Sequence, residues 1–235
     1  MNYDEFWAGG PRFLHTSRAF APGTDAFLLA DFAERGKVRR VCDLGCGCGI
    51  VGILLGWEHP ERQVTGVEIS PQAAAIAREN GELNGLTDRF TVVEGDLREH
   101  RTLLPAGSFD LTVANPPYFS LSGGKRSATA AQARQEESCT LAQVCAAAAW
   151  LTRWGGRFAV IHRPERLAEL LGEMTRAGLE PKRLRLVQPR GESAPGLVLA
   201  EGRRGGKPGL KVEPPLLLCG EDGGESPELR RIYRR

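Results

Sequence analysis

Short apolar runs alternate with helical patterns along most of the chain. Residues 39–45 (RRVCDLG), 63–70 (QVTGVEIS), 89–96 (RFTVVEGD) and 109–115 (FDLTVAN) are apolar and partly β-branched, as interior strands are. Helical patterns over 50–57 and 71–84 separate the first three. The second carries its own boundary signals: Ser70 suits the N-cap, Pro71 the first helical position, and Gly85 follows Asn84 at the end. A helix over 140–151, a strand over 155–162, a helix over 165–177 and a strand over 181–189 continue the alternation. This order predicts βαβ units and a doubly wound, mostly parallel α/β sheet. Residues 196–203 (GLVLAEGR) predict an antiparallel closing strand, while RRGGKPG and EDGGESPE read as loops. Ahead of the sheet, residues 24–36 (TDAFLLADFAERG) predict a helix capped by Thr24 or Asp25. With no internal repeat and no long linker, one domain is expected over 1–235, with a lead-in over 1–38, a core over 39–235 and a basic C-terminal tail.

In an open parallel sheet, ligands bind outside the carboxyl ends of the strands, so those ends hold the candidate chemistry. The first strand runs into DLGCGCGIVG, with Asp43, Gly45, Gly47 and Gly49. The second ends in Glu68 and Ile69, the third in Asp96 and Leu97, and the fourth in Asn115 of VANPPYFS. Gly47-x-Gly49-x-x-Gly52 formally meets the dinucleotide fingerprint, with Glu68 near the place of a ribose-binding acid. Three carboxylates at one edge oppose a pyrophosphate and suit a ligand with cationic centres. S-adenosylmethionine, with its sulfonium, ammonium and ribose, is such a ligand. The glycine turn admits its methionine end, Glu68 takes the ribose hydroxyls, and Asp96 with Leu97 faces the adenine.

Composition narrows the setting. The N-terminus carries two acids and no apolar run, and the longest apolar segment, 141–151, is too short for a bilayer, so a cytoplasmic protein is expected. Cys42, Cys46 and Cys48 crowd one glycine-rich turn while Cys139, Cys145 and Cys219 lie far off; with only four scattered histidines, they lack zinc spacing, and no metal is expected. Net charge is +2, yet residues 1–120 carry an excess of acids and 121–235 an excess of Lys and Arg. That asymmetry points to a polyanionic partner.

The segments VCDLGCGCGIVGILL, VTGVEIS, VVEGDL and LTVANPPYF resemble, in order and spacing, the motifs of class I S-adenosylmethionine-dependent methyltransferases. GTDAFLLADFA, ENGELNGL and ARQEES narrow the resemblance to the bacterial tRNA1(Val) adenine-37 N6-methyltransferase family. The resemblance implies a Rossmann-like sheet, S-adenosylmethionine as cofactor and the anticodon loop of a tRNA as partner. No membrane and no obligate protein partner are expected. It also implies that the Asn115 side chain and the Pro116 carbonyl accept hydrogen bonds from an amino group, that Pro116 and Pro117 fix the backbone there, and that Tyr118 stacks on the base. Thr24 and Asp25 would lie near the cofactor.

Lys125, Arg126 and Arg134, in the basic stretch after Tyr118, and Lys182, Arg183 and Arg185 are candidates for RNA phosphates, as is the tail ELRRIYRR. Other readings stay open: protein-glutamine N5-methylation, ribosomal RNA or DNA methylation, or a module that binds without catalysis. The 42 residues before Asp43 leave little room for the helical domain of the glutamine-modifying enzymes.

Overall fold

The structure is a computed structural model that describes residues 3–14, 23–117 and 139–234. Strands β1 (Tyr3–Glu5) and β2 (Arg12–Leu14) form an antiparallel hairpin ahead of α1 (Thr24–Ala33). The alternating part follows as β3 (Arg40–Leu44), α2 (Ile50–Trp57), β4 (Gln63–Glu68), α3 (Pro71–Leu83) and β5 (Phe90–Glu94). After the short α4 (His100–Leu103) come β6 (Phe109–Ala114), α5 (Leu141–Leu151), β7 (Thr152–His162) and α6 (Leu167–Arg176). The chain closes with β8 (Leu179–Gln188), β9 (Leu197–Arg204), β10 (Lys211–Val212), β11 (Leu216–Leu217) and α7 (Pro227–Ile232).

Nine strands make one sheet in the order β10-β8-β9-β7-β6-β3-β4-β5, with β11 also on β8. The pairs among β5, β4, β3, β6 and β7 are parallel, and β9 runs antiparallel to both β7 and β8. The expected closing strand is therefore inserted between its neighbours. From β3 the chain moves outward to β4 and β5, then returns to start again at β6. The boundary between β3 and β6 is thus the topological switch point, where a crevice opens at the carboxyl edge.

The strands are apolar on successive residues because both sheet faces are covered. Val41, Leu111, Val113, Ala159 and Ile161 join one core with α1 and α2. Their neighbours Cys42, Ala114, Phe158 and Val160 join the other, under α5 and α6. Local signals fix the helices in between. The Ser70 hydroxyl accepts from Ala73 N–H, Pro71 opens α3, and Gly85 follows its C-cap at φ 68°. Thr140 and Gln143 form a reciprocal capping box on α5.

Two expectations change. Gly23, and not Thr24 or Asp25, is the N-cap of α1, with no side-chain hydrogen bond to the helix end. The Thr24 hydroxyl instead accepts from Tyr233 Oη at 2.8 Å. Part of the stretch read as loop, EDGGESPE, starts α7, which Ser226 caps. Among the described residues, no helix is long and apolar enough to cross a membrane.

Candidate active site at the carboxyl edge

The turn after β3 is held by side chains from three elements. Gly45, Gly47 and Gly49 all take positive φ (66°, 54° and 82°), a region that non-glycine residues enter at a cost. Gly49 is the left-handed N-cap of α2, and a Cβ there would lie 2.8 Å from Phe90 Cζ. From β4, Glu68 accepts the Gly47 N–H on Oε2 and the Ser70 N–H on Oε1, both at 2.8 Å. From α3, the buried Asn80 donates to the Cys48 carbonyl at 2.9 Å and accepts the Leu14 N–H at 2.7 Å. From β3, Asp43 accepts the Gly52 N–H at 2.9 Å.

Asp43 is 1% exposed. Burial pushes its carboxyl up from 3.8 to about 7; the Gly52 hydrogen bond opposes the rise and the Glu68 charge adds to it. Asp96 behaves in the opposite way. Its carboxylate accepts hydrogen bonds from the Arg98 guanidinium and from the Arg98 backbone N–H, which hold it below its ordinary value.

A crevice opens over these strand ends, with about 640 Å³ of empty space including its mouth. Gly45 lines it from β3, Glu68 and Ile69 from β4, Asp96 and Leu97 from β5, and Pro116 and Pro117 from β6. Seven residues named from four separate segments of sequence therefore meet in one place. Asn115 is half-buried directly after β6.

The other candidates are placed around the crevice or away from it. Asp43, Gly47 and Gly49 lie outside the crevice lining and shape the turn beside it. Thr24 and Asp25 do not line it either. Tyr118, Lys125, Arg126 and Arg134 lie outside the described residues. Cys139 and Val144, at the start of α5, line the crevice and were not foreseen, because nothing local in the sequence marks them. Asn80 was also missed as a support of the turn, although it belongs to ENGELNGL.

The candidates at the start of β8 divide sharply. Arg183 is a structural cation. It forms two hydrogen bonds with Glu213 at 2.9 and 3.2 Å, pairs with Glu201 at 3.3 Å, donates to the Phe32 carbonyl and lies over the Phe32 ring. Arg185 makes a two-point pair with Glu228 at 2.8 and 2.7 Å. Neither has its charge available to a phosphate, which corrects the reading from charge alone. Lys182 donates to the Lys207 carbonyl, and among the described residues no carboxylate pairs with it. In the basic tail, Arg231 pairs with Asp31, and Arg234 pairs with Glu58 beside the Trp7 ring.

The sequence pattern of the methyltransferase small domain family matches residues 15–177. A tRNA1(Val) (adenine(37)-N6)-methyltransferase of Porphyromonas gingivalis (strain ATCC 33277) is 32% identical over 194 residues, covering 80% of this chain and 76% of that one. The enzyme of the same name from Actinobacillus pleuropneumoniae serotype 5b (strain L20) is 34% identical over 163 residues, 69% of this chain and 67% of the relative. Among solved structures, a predicted O-methyltransferase, protein Atu636 from Agrobacterium tumefaciens, superposes with a TM-score of 0.73 at 22% identity. The match covers 89% of this chain and 95% of that one, and shows the shared fold.

Proposed function

The chain belongs to the methyltransferase small domain family and stands with the tRNA1(Val) (adenine(37)-N6)-methyltransferases; on that premise we propose that it methylates N6 of an adenine in tRNA, at position 37 of the anticodon loop of a valine tRNA. The observation that carries the reading is the crevice in which Gly45, Glu68, Ile69, Asp96 and Leu97 meet the Asn115–Pro116–Pro117 strand end.

The residues of the crevice fit S-adenosylmethionine. A Cβ built on Gly45 or Gly47 meets nothing within 4 Å, so there is open space in front of the turn. Ile69, Leu97 and Val144 supply apolar surface for a flat ring, and Glu68 and Asp96 supply acceptors for hydroxyl and amino groups. The Asp43 charge lies behind the turn, where a cationic ligand favours its ionised form. Bound there, S-adenosylmethionine supplies the methyl group carried on its sulfonium.

The chain's own contribution centres on β6. An exocyclic adenine nitrogen is a weak nucleophile because its lone pair is delocalised into the ring. Acceptors at the Asn115 side chain and the Pro116 carbonyl would hold the two amino hydrogens and favour a more tetrahedral nitrogen, with its lone pair free to attack. Pro116 and Pro117 fix their φ angles, so the acceptors are ordered before substrate arrives. Tyr118 would stack on the everted base. The test is transfer from labelled S-adenosylmethionine to unmodified tRNA, followed by digestion to nucleosides. Label in N6-methyladenosine from position 37 is expected. Label in a release-factor glutamine alone would overturn the reading.

A further inference from the structure

At the opposite end of the sheet lies a hollow open to solvent, with about 1010 Å³ of empty space, built where β3, β6, β7 and β8 begin and β9 ends. Arg35, Lys37, Arg153, Lys182 and Arg203 line it, and Lys207 adjoins it through the Lys182 bond to its carbonyl. Its two acids are already engaged. Asp110 accepts from the N–H groups of Arg39 and Arg40 and from Arg153 Nε at 2.6 Å. Glu201 takes Arg157 at 2.7 Å and Arg183 at 3.3 Å. Among the described residues, no carboxylate pairs with Lys37, Lys182, Arg203 or Lys207. The hollow thus carries net positive charge that nothing among the described residues neutralises.

Beside it stands Trp154, between Arg153 and Gly155 of the lining, 74% exposed while the other three tryptophans are half-buried. One side of its ring packs on Gly205, where any Cβ would collide with it. The rest of the ring faces solvent. An indole fixed against backbone on one side and open on the other, flanked by unpaired cations, is the combination that holds unpaired bases and their phosphates.

We propose that this amino-edge surface is a second RNA-binding site, in which Lys37, Arg203 and Lys207 contact phosphates and Trp154 stacks on an unpaired base of the RNA whose adenine occupies the carboxyl-edge crevice. The choice of RNA as the polyanion rests on the reading of the crevice given above. The six residues of β6 separate the two sites by roughly 20 Å, within the reach of a folded tRNA. The surface therefore contributes to substrate capture and leaves the chemistry to the crevice.

Binding and transfer are measured separately, so that the two readings fail separately. Fluorescence anisotropy with labelled tRNA gives Kd across a salt series for the wild type, for a Lys37→Gln/Arg203→Gln/Lys207→Gln triple variant and for Trp154→Ala. The triple variant is expected to bind at least tenfold more weakly, with a log Kd–log salt slope shallower by about 2–3, as for three lost phosphate contacts. Trp154→Ala is expected to lose about fivefold or more with its slope unchanged. tRNA should quench wild-type tryptophan emission more than that of the Trp154→Ala variant. S-adenosylmethionine affinity and the rate at saturating RNA should stay within twofold. Unchanged Kd, slope and quenching in both variants would overturn the surface even with full methyl transfer. Patch-dependent binding without any transfer to tRNA would instead overturn the proposed reaction and leave the surface standing. Trp154 is exposed, so its variant reports even if the triple variant fails to fold.

Discussion

Asp43 offers a test in which the size of the effect depends on pH. Its carboxyl is buried and raised from 3.8 to about 7. At about 1.4 kcal/mol per tenfold change in proton affinity, the ionised form is about 4 kcal/mol less favourable in the folded chain than in the unfolded one. Below 3.8 the group is protonated in both states and costs nothing. As pH rises, the unfolded chain loses this proton first, so folding is progressively disfavoured until about pH 7, where the full cost is reached. Between pH 5 and pH 8 this group alone removes about 2–3 kcal/mol of stability. Asp43→Asn keeps an acceptor for the Gly52 N–H and abolishes the titration. Urea unfolding at both pH values, read by linear extrapolation, should show the variant gaining about 2–3 kcal/mol on the wild type between pH 5 and pH 8. The variant should also bind S-adenosylmethionine more weakly, and without the wild type's gain in affinity as pH rises towards 7. A stability gap equal at pH 5 and pH 8 would refute the assignment of a strained, titrating carboxyl.

Three further outcomes follow from the packing. Arg62 is almost fully buried and held by Glu34 at 2.5 and 2.6 Å and by the Leu55 carbonyl; Glu34→Ala strands that charge and should cost about 3 kcal/mol, more than Arg62→Met, in chemical denaturation. Gly49→Ala forces a side chain into positive φ and against Phe90, and should lower stability by about 2–4 kcal/mol in thermal melts. Asn80→Ala removes the bonds to Cys48 and Leu14, and should cost about 2–4 kcal/mol while weakening S-adenosylmethionine binding in titration calorimetry.

The sequence made the central sheet legible because its signals are local and agree with one another. Apolar runs buried on both faces gave strands, and Ser70, Pro71 and Gly85 bounded α3. The site was legible for a topological reason: parallel strands carry their last residues to one edge, so Gly45, Glu68, Asp96 and Pro116 could be grouped without coordinates. What stayed hidden depends on contacts remote in sequence. The hairpin β1–β2 is secured on α3 by Asn80 and Asn84, some 70 residues away. Charge counting could not distinguish Arg183, consumed by Glu213 and Glu201, from Lys182, which pairs with no carboxylate among the described residues. Exposure of Trp154 is likewise a tertiary fact, since WLTRWGG reads only as the end of a helix and a turn. The crowded cysteines have a packing account: Cys46 Sγ fills the space where a Cβ on Gly66 would stand, 2.6 Å away. Burial also pushes the Cys48 thiol up to about 12, so it is a packing group.

The most direct test of the account is single-turnover methyl transfer to tRNA by Asn115→Ala alongside its affinity for S-adenosylmethionine. If acceptors at the end of β6 prepare the adenine nitrogen, the transfer rate falls by about a hundredfold or more, while cofactor affinity changes far less. A variant that transfers methyl at the wild-type rate would contradict the account.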